Sequence, residues 1–301
     1  MGDFKFLQDK ITGKWVILAP RRSTRPDVAH ETKPFCPFCP GREREDPDLF
    51  RIPARNASAS EAGGGGESGD SNWQTRVIPN KFPFAPIHEL IIHSPDHHKN
   101  FDELPVDHIA TIIEAYKQRY NEHKNKGQVY IFHNRGEAGG ESIPHPHTQL
   151  VVIPREVNLD TPLLNEGEYK FDASLFSVSC PTTSQWPDEV WVNPKEQGRS
   201  FGEISDEEIT ALATILNKLI RILDLRHGHE FPFNFYIHSG ENWYLRIIPR
   251  VKSLGGFEIG TGVFVNTQDP IDTFNFIKEH FDTLNEDKIK TKQKANYGVG
   301  V

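Results

Sequence analysis

Two long segments of the 301-residue chain place apolar residues at helical spacing. The first runs from Ile109 through Tyr120 and stops near Gly127. The second opens with the capping-box sequence Ser205-Asp-Glu-Glu208 and stops before Gly228. A stripe that recurs every three to four residues packs one face of a helix on a core, and a capping box marks where a helix begins. The pattern therefore predicts two long amphipathic helices.

Each predicted helix leads into two segments of strand type. Residues 129–133 and 234–238 follow the helices directly, and each is succeeded by an apolar run that ends in Ile-Pro-Arg, at 153–155 and at 248–250. Strand, long helix, strand and strand, twice over, predict an α+β fold built from a duplicated unit, with antiparallel sheets and long helices packed on them.

The segments before the two helices also match. Residues 89–101 align with residues 189–201 without a gap, and the register continues into the helices. Two ordinary amphipathic helices can look alike by chance, but a gapless match across strand, loop and helix favours duplication. We expect two domains, residues 1–155 and residues 156–301.

The two copies differ at polar positions. His97 aligns with Gln197, and counting back from the shared Ile-Pro-Arg places Asn242 at His147 and Tyr244 at Gln149. Because the second copy lacks these polar side chains, we expect the working site in the first copy.

Composition narrows the class of protein. The formal net charge is −8, which argues against a nucleic-acid partner because a phosphate backbone repels an acidic surface. No apolar run reaches the length of a membrane span, and the first residues lack the basic and apolar regions of a signal peptide. We expect a cytoplasmic protein without a membrane partner. Residues 57–70, rich in glycine and serine, predict a mobile loop.

Two of the three cysteines form the motif Cys36-Pro-Phe-Cys39. Two thiolates at this spacing can face one zinc ion. A thioredoxin-type motif requires a helix after the first cysteine, and Pro37 and Pro40 oppose one. Zinc needs two more ligands, and an exposed histidine is more often only solvated. The candidate histidine ligands are His93, His97, His98 and His145.

The segment His145-Pro-His147-Thr-Gln149 opens a predicted strand, so its three polar side chains share one face. For His147 the residues leave four roles open: metal ligand, general base, nucleophile or buried core histidine. Before it, residues 134–142 form a glycine-rich turn whose backbone N–H groups either make an anion nest, with the Ser142 hydroxyl, or only a wide hairpin turn. A neutral imidazole beside such a nest can attack phosphorus.

These motifs resemble the galactose-1-phosphate uridylyltransferases of the histidine-triad superfamily, and the resemblance covers nearly the whole chain. Residues 12–26 are similar to the family's opening strand and arginine loop. The motifs that match in order and spacing are Cys36-x-x-Cys39, Ser94-Pro-Asp-His97, Asn134-x-Gly and His145-Pro-His147-x-Gln149. The resemblance implies that the duplicated unit is histidine-triad-like.

The resemblance also implies the residue roles. His147 is the implied nucleophile, and Gln149 is implied to hydrogen-bond the transferred phosphoryl group. One structural Zn²⁺ is implied, with Cys36, Cys39, His97 and His145 as its ligands. The implied substrate-binding residues are Arg22, Arg25, Asn80, Asn134, Ser142, Lys252 and Glu258. The last two lie in a segment that reaches the other subunit's active site in this family, which implies a homodimer.

The implied reaction moves a nucleoside monophosphate, UMP in the first instance, between a nucleotide sugar and a hexose 1-phosphate in galactose metabolism. The alternatives are an ADP-glucose or dinucleotide phosphorylase that uses inorganic phosphate, and a non-catalytic nucleotide-binding module.

Three departures from the family pattern bear on this reading. Glu141 replaces a small cysteine in the phosphate loop, where a carboxylate repels phosphate unless it turns away or pairs with an arginine. Arg246 and Ile248 occupy the positions of histidines in the family's second metal site, so we expect no second metal. Residues 255–262 resemble the branch that includes plant ADP-glucose phosphorylase, which leaves adenylyl beside uridylyl specificity.

Overall fold

The computed structural model describes residues 4–24, 36–53, 72–164 and 167–283, and the described part is an α+β fold, as predicted. The segment 57–70, predicted as a mobile loop, lies outside these ranges. The strands are β1 (Lys5–Gln8), β2 (Trp15–Leu18), β3 (Phe50–Pro53), β4 (Trp73–Pro79), β5 (Ile87–Ile92), β6 (Gln128–Arg135), β7 (His147–Ile153), β8 (Lys170–Ala173), β9 (Phe176–Ser179), β10 (Val190–Pro194), β11 (Phe233–His238) and β12 (Tyr244–Pro249). The α-helices are α1 (Val106–His123), α2 (Asp206–His227), α3 (Gly256–Thr261) and α4 (Pro270–Phe281), and short 3₁₀ helices span Pro20–Thr24, Glu137–Gly139 and Phe201–Glu203.

Ten strands form one antiparallel sheet in the order β3-β4-β5-β7-β6-β11-β12-β10-β9-β8, and β1 pairs with β2 in a separate hairpin. The two copies meet where β6 pairs with β11, with Asn134 opposite Asn234. The predicted antiparallel sheets of the two copies are therefore one continuous sheet. The division into domains at residues 155 and 156 stays a prediction.

The helices α1 and α2 cover one face of this sheet. Their apolar stripes pack on the strands in one core, which includes Ile112 of α1, Leu216 of α2 and Leu150 of β7. The capping box is confirmed: the Ser205 hydroxyl accepts the Glu208 N–H at 3.2 Å, and the Glu208 carboxylate accepts the Ser205 N–H at 2.8 Å. Within the described ranges, no helix has both the length and the apolar character that crossing a bilayer requires.

Strand β7 alternates as predicted. Leu150 and Val152 face the helices and join the main core, whereas Val151 belongs to a cluster on the opposite face. His147 and Gln149 therefore lie on the face without the long helices, because side chains alternate along a strand. The order of residues in β7 thus sets which side of the sheet carries the polar group.

The gapless match between the copies holds for the helices but is wrong for β5 and β10. Glu89 faces α1, where its carboxylate accepts hydrogen bonds from Arg119 at 2.6 and 2.9 Å. Glu189 lies on the opposite face and binds Arg246 of β12 at 2.7 and 2.8 Å. The two glutamates occupy aligned positions in sequence, yet a shift of one residue in a strand turns a side chain to the other face. The same residue type at aligned positions therefore has different structural surroundings in the two copies.

Candidate active site and metal centre

The Cys-x-x-Cys turn and two histidines form a compact cluster. The Sγ of Cys39 lies 3.3 Å from Nδ1 of His97 and 3.8 Å from Nδ1 of His145, and the Sγ of Cys36 lies 3.5 Å from Nδ1 of His145. All four ligand atoms lie within 4.8 Å of one another. Two thiols and two imidazoles at these separations suit one tetrahedral ion, so the cluster could hold a metal.

Two observations fit the histidines to a metal. The Nε2–H of His145 donates to the carbonyl oxygen of Ser94 at 2.8 Å, which leaves the lone pair on the Nδ1 that faces the thiols. Burial lowers the pKa of His145 to about 4, and the neutral ring is the form that binds metal. The sequence left His97 and His98 open as ligands. Of the two, His97 joins the cluster and His98 is exposed.

The aromatic residue inside the cysteine motif contacts both histidines of the pentapeptide. Phe38 is buried, and its ring packs edge-on against the rings of His145, at a centroid distance of 6.0 Å, and His147, at 5.3 Å. Glu43 stabilises the turn, because its carboxylate accepts the Gly41 N–H at 2.8 Å. The cysteine turn therefore does two things: it supplies two candidate ligands and it packs against His147.

Both the ring and the backbone of His147 are held. Its Nδ1 lies 2.9 Å from the carbonyl oxygen of His145, so that Nδ1–H donates and Nε2 carries the lone pair in the neutral ring. Its own carbonyl oxygen accepts a hydrogen bond from Nδ1 of the buried His133 at 2.8 Å. Burial lowers the pKa of His133 to about 3, which keeps that ring neutral. A neutral imidazole with an oriented Nε2 lone pair is suited to nucleophilic attack.

The helix side of the same strand is also fixed. Thr148 Oγ1 lies 2.6 Å from the hydroxyl of Tyr116 on α1 and 2.8 Å from Nε2 of His93. His93 is fully buried in this group and does not join the cysteine cluster. The strand that carries His147 and Gln149 is thus attached to the core through the residue between them.

On the open face, Gln149 lies beside two of the residues predicted to bind the nucleotide. Its Oε1 is 2.9 Å from Nε2 of His88, and Nδ2 of Asn80 is 3.1 Å from the same nitrogen. Arg22 is connected to this group because its Nη1 donates to the carbonyl oxygen of Phe82 at 2.6 Å. The structure therefore brings Arg22, Asn80 and Gln149 together through residues that the sequence did not single out. Arg25 lies outside the described residues.

The glycine-rich turn uses its own N–H groups. The N–H groups of Gly139 and Glu141 donate to the carbonyl oxygen of Gly136, that of Gly140 donates to Glu137, and that of Gly136 donates to the Glu141 carboxylate. The predicted anion nest is wrong for these four groups, and the turn alternative describes them. Gly136 has φ +73°, and a Cβ there would lie 2.9 Å from Cβ of Pro232, so the turn requires glycine at this position.

Asn134, which precedes this turn, is fixed by the second copy. Its Oδ1 accepts a hydrogen bond from Nδ2 of Asn234 at 2.9 Å, and Oδ1 of Asn234 accepts one from Arg250 at 2.9 Å. With its oxygen engaged, Asn134 has Nδ2 to donate. Ser142 follows the turn and is partly exposed, without a described contact to His147.

The sequence required the Glu141 carboxylate either to turn away from a bound phosphate or to pair with an arginine, and the structure meets this condition. One carboxylate oxygen accepts the Gly136 N–H at 2.8 Å, and the other lies 3.6 Å from Nη1 of Arg135. Burial raises the pKa of Glu141 above its ordinary range. The carboxylate is thus turned into its own loop and faces an arginine.

Lys252 and Glu258 contact each other, with Nζ and Oε1 3.1 Å apart. They follow β12, three strands from β7 in the sheet order β7-β6-β11-β12. At the usual strand spacing this is about 14 Å from the strand of His147. Within one chain, the described contacts do not bring this pair to the nucleophile candidate.

At the position of the family's second metal site, Arg246 pairs with Glu189, and both side chains are buried. The guanidinium also lies over the ring of Trp191, 5.3 Å from its centroid. The region therefore contains a bound cationic side chain, and the expectation of no second metal stays a prediction.

Sequence reasoning missed three residues of the site. His88 and Phe38 contact Gln149 and His147 directly, and His133 holds the backbone of His147. The only sequence signal for His88 was a polar residue at the start of the apolar strand 87–92. For Phe38 it was an aromatic residue between the two cysteines.

Comparisons with known proteins identify relatives of this chain. A family model described as galactose-1-phosphate uridyl transferase, N-terminal domain, matches residues 87–152, which contain β5, α1, β6 and all of β7 except Ile153. ADP-glucose phosphorylase of Arabidopsis thaliana is 27% identical over 90% of this chain and 92% of that protein. Galactose-1-phosphate uridylyltransferase of Thermotoga maritima is 24% identical over 89% of this chain and 96% of that protein.

Solved structures show the same fold. An ADP-glucose phosphorylase from Arabidopsis thaliana with bound ADP-glucose has a TM-score of 0.68 and 25% identity, and the match covers 92% of this chain and 99% of that chain. A uridylyltransferase structure has a TM-score of 0.72 at 19% identity, over 93% of this chain and 99% of that chain.

Proposed function

We propose that the chain, which belongs to the galactose-1-phosphate uridylyltransferase family, moves a nucleoside monophosphate from a nucleotide sugar to an anionic acceptor through a covalent nucleotidyl-His147. The observation that carries the proposal is the hydrogen bond from Nδ1 of His147 to the carbonyl oxygen of His145, because it directs Nε2 as a nucleophile beside Gln149. The chain is an enzyme of the nucleotidyltransferase class.

In the first step, Nε2 of His147 attacks the phosphorus that carries the nucleoside. The Nε2–P bond forms as the P–O bond to the sugar-phosphate half breaks, and hexose 1-phosphate leaves as an anion. The Nδ1 proton stays shared with the His145 carbonyl, which stabilises the positive charge that develops on the ring. The same contact that orients the ring therefore also supports the intermediate.

In the second step, an oxygen of the acceptor phosphate attacks the same phosphorus. The P–N bond breaks, the electron pair returns to Nε2, and His147 is again neutral. No separate base is needed, since a phosphate oxygen at neutral pH is already ionised. Position and charge neutralisation supply the rate enhancement.

Gln149 is proposed to donate its amide N–H to the transferred phosphoryl group. The close grouping of Arg22 and Asn80 with Gln149 supports a nucleotide on this side. Asn134 and Ser142, which flank the glycine-rich turn, are proposed to bind the phosphates from the other side.

The metal is proposed to be zinc, held by Cys36, Cys39, His97 and His145. It supplies structural stability and no chemistry to the transfer. Because His145 offers a side-chain ligand and a backbone oxygen, the cluster fixes the carbonyl that orients His147.

Two pairs of nucleotidyl donor and phosphate acceptor have to be distinguished by experiment. The sequence predicted UMP transfer between a nucleotide sugar and a hexose 1-phosphate. AMP transfer from ADP-glucose to inorganic phosphate is the second candidate, favoured by the 27% identity to a protein named ADP-glucose phosphorylase over nine-tenths of both chains. The sugar is proposed to bind near Lys252 and Glu258 of a partner subunit in a homodimer, and the cytoplasmic location stays a prediction.

Isolation of the covalent intermediate tests the proposal. The protein is incubated with UDP-glucose or ADP-glucose, each labelled in the phosphate next to the nucleoside, and mass spectrometry of the digest locates the label. We expect label on His147, with the stronger donor identifying the nucleoside. His147→Ala should carry none, whereas His238→Ala, a histidine of the second copy, should label normally. Label that persists in His147→Ala contradicts the nucleophile.

A further inference from the structure

Three successive carbonyl groups, those of residues 145–147, each accept a hydrogen bond. The His145 carbonyl oxygen lies 2.9 Å from Nδ1 of His147. The Pro146 carbonyl accepts the backbone N–H of His93 at 3.1 Å, and the His147 carbonyl oxygen lies 2.8 Å from Nδ1 of His133. The two peptide groups that flank the Cα of His147 are therefore each held by a hydrogen bond from a neighbouring segment.

The proton on the His133 ring can be assigned from its partner. A carbonyl oxygen only accepts, so Nδ1 of His133 carries the proton and donates it to His147. Among the residues that the structure describes, Nε2 of His133 has no hydrogen-bond partner. Burying an imidazole with one nitrogen unpaired costs more than burying a phenyl ring, because that nitrogen gives up water and gains no donor. The hydrogen bond to His147 is therefore what distinguishes this histidine from an ordinary core aromatic residue.

Packing fixes the direction of this N–H. His133 is wholly buried. An aromatic box surrounds its ring, with centroids 5.0 Å away for Phe235, 5.5 Å for Phe101, 5.4 Å for Phe233 and 5.3 Å for His93. A ring enclosed in a close-packed core keeps one orientation, so Nδ1 stays directed at the His147 carbonyl.

We propose that His133 is a positioning residue for nucleotidyl transfer: its Nδ1–H fixes the peptide group after His147 and thereby sets the direction from which Nε2 of His147 attacks phosphorus. This inference rests on the proposed function. The ring of His133 packs on core residues of the helix side of the sheet, whereas the His147 side chain lies on the other face. His133 thus acts through the backbone of His147 and does not touch the reacting atoms.

Single-turnover labelling of His147 tests the inference, with the labelled nucleotide sugar that the wild-type protein accepts. His133→Phe keeps a ring in the aromatic box but removes the N–H, and it should slow labelling about a hundredfold, as expected for a misplaced reacting group. The concentration of nucleotide sugar that gives half-maximal rate should stay near the wild-type value. His133→Asn should restore most of the rate, because its amide nitrogen is attached to Cγ as Nδ1 is. His238→Phe makes the same exchange in the second copy and serves as the control.

Thermal unfolding separates positioning from a general structural role. His133→Asn leaves part of the aromatic box empty and should unfold at a lower temperature than His133→Phe, which fills it. A purely structural role predicts slower labelling in the less stable His133→Asn, whereas positioning predicts slower labelling in His133→Phe. Labelling in His133→Asn that is no faster than in His133→Phe would overturn the inference, as would a wild-type rate in His133→Phe. Absence of any label in the wild-type protein is a different result: it overturns the proposed function itself.

Discussion

The carbonyl oxygen of His145 lies 2.9 Å from Nδ1 of His147. The imidazole of the same His145 faces the thiols of Cys36 and Cys39 through its own Nδ1. A single residue therefore belongs to the candidate metal cluster by its side chain and to the candidate active site by its backbone. A change in the cluster should reach the candidate nucleophile through this residue, and also through Phe38 of the cysteine turn, whose ring packs against His147.

Removal of a cysteine from the cluster should therefore mainly lower the thermal stability of the protein and, as a second effect, the rate at which His147 is labelled. Cys36→Ser is expected to lose the metal, to unfold at a lower temperature and to label His147 more slowly even below its unfolding temperature, because the His145 carbonyl is less well placed. Metal analysis, thermal unfolding and single-turnover labelling measure the three effects. Cys180→Ser, at a buried cysteine outside the cluster, should keep the metal. Full metal content in Cys36→Ser would contradict the ligand set.

The pair of Arg246 and Glu189 should be costly to break from one side. Both side chains are buried, so Arg246→Met leaves a carboxylate in the protein interior whose charge is balanced by no cation and is met only by the neutral N–H groups of Gln185, Trp186 and Trp191. We expect the free energy of unfolding to fall by about 3–5 kcal/mol in urea titrations. Arg42→Met breaks an exposed pair with Glu45 and should cost about 0–1 kcal/mol. Equal costs for the two variants would contradict the importance of burial.

Asp224 of α2 should make stability depend on pH. Burial, with the neighbouring Asp102 carboxyl next, raises the pKa of Asp224 above its ordinary value of 3.8. The folded state therefore holds a proton that the unfolded state releases, and its stabilising effect is complete below that ordinary value and is lost as pH rises through the raised pKa. Other groups that face this carboxyl are Glu103, Arg135 and His229.

Asp224→Asn tests this sign. The free energy of unfolding of the wild-type protein should fall between pH 5 and pH 8 by more than that of the variant, as measured by urea unfolding at both pH values. Asp172→Asn, at an exposed carboxylate, should behave like the wild type. A wild-type protein that becomes more stable relative to Asp224→Asn over this interval would contradict the raised pKa.

Glu141→Gln should strengthen the binding of substrate phosphate. The amide oxygen can still accept the Gly136 N–H, so the turn is kept while a negative charge is removed. We expect the KM for the nucleotide sugar to fall several-fold at pH 8, equivalent to about 1 kcal/mol. The difference should narrow as pH falls through the raised pKa of Glu141, because the protonated carboxyl is also neutral. An unchanged KM at pH 8 would show that Arg135 already cancels the charge.

Local patterns predicted what depends on neighbours in sequence. The capping box at Ser205 and the alternation along β7 each involve a few consecutive residues, and both are confirmed. The candidate metal cluster could also be predicted, because cysteine and histidine can be recognised in the sequence as residue types that bind metal. The faces of Glu89 and Glu189 were not, since a strand's register is set by its partners across the sheet.

The same limit explains His88. Its contact with Gln149 depends on how β5 pairs with β7, and 61 positions separate the two residues. No local pattern encodes that distance. The loop at Gly136 is a further case: its N–H groups looked available to an anion until the fold turned the Glu141 carboxylate onto one of them.

The pairing of β6 with β11 gives the second copy a structural role that does not depend on catalysis. β6 adjoins the strand of His147 on one side, and on the other side its backbone is covered by β11 over residues 130–135. Without that cover, β6 would expose unpaired backbone N–H and C=O groups along one edge, and such edges can pair with other chains and cause aggregation. The second copy thus covers an edge of the first copy's strands that would otherwise be open, and a substitution in β11 can destabilise the protein without touching the candidate active site.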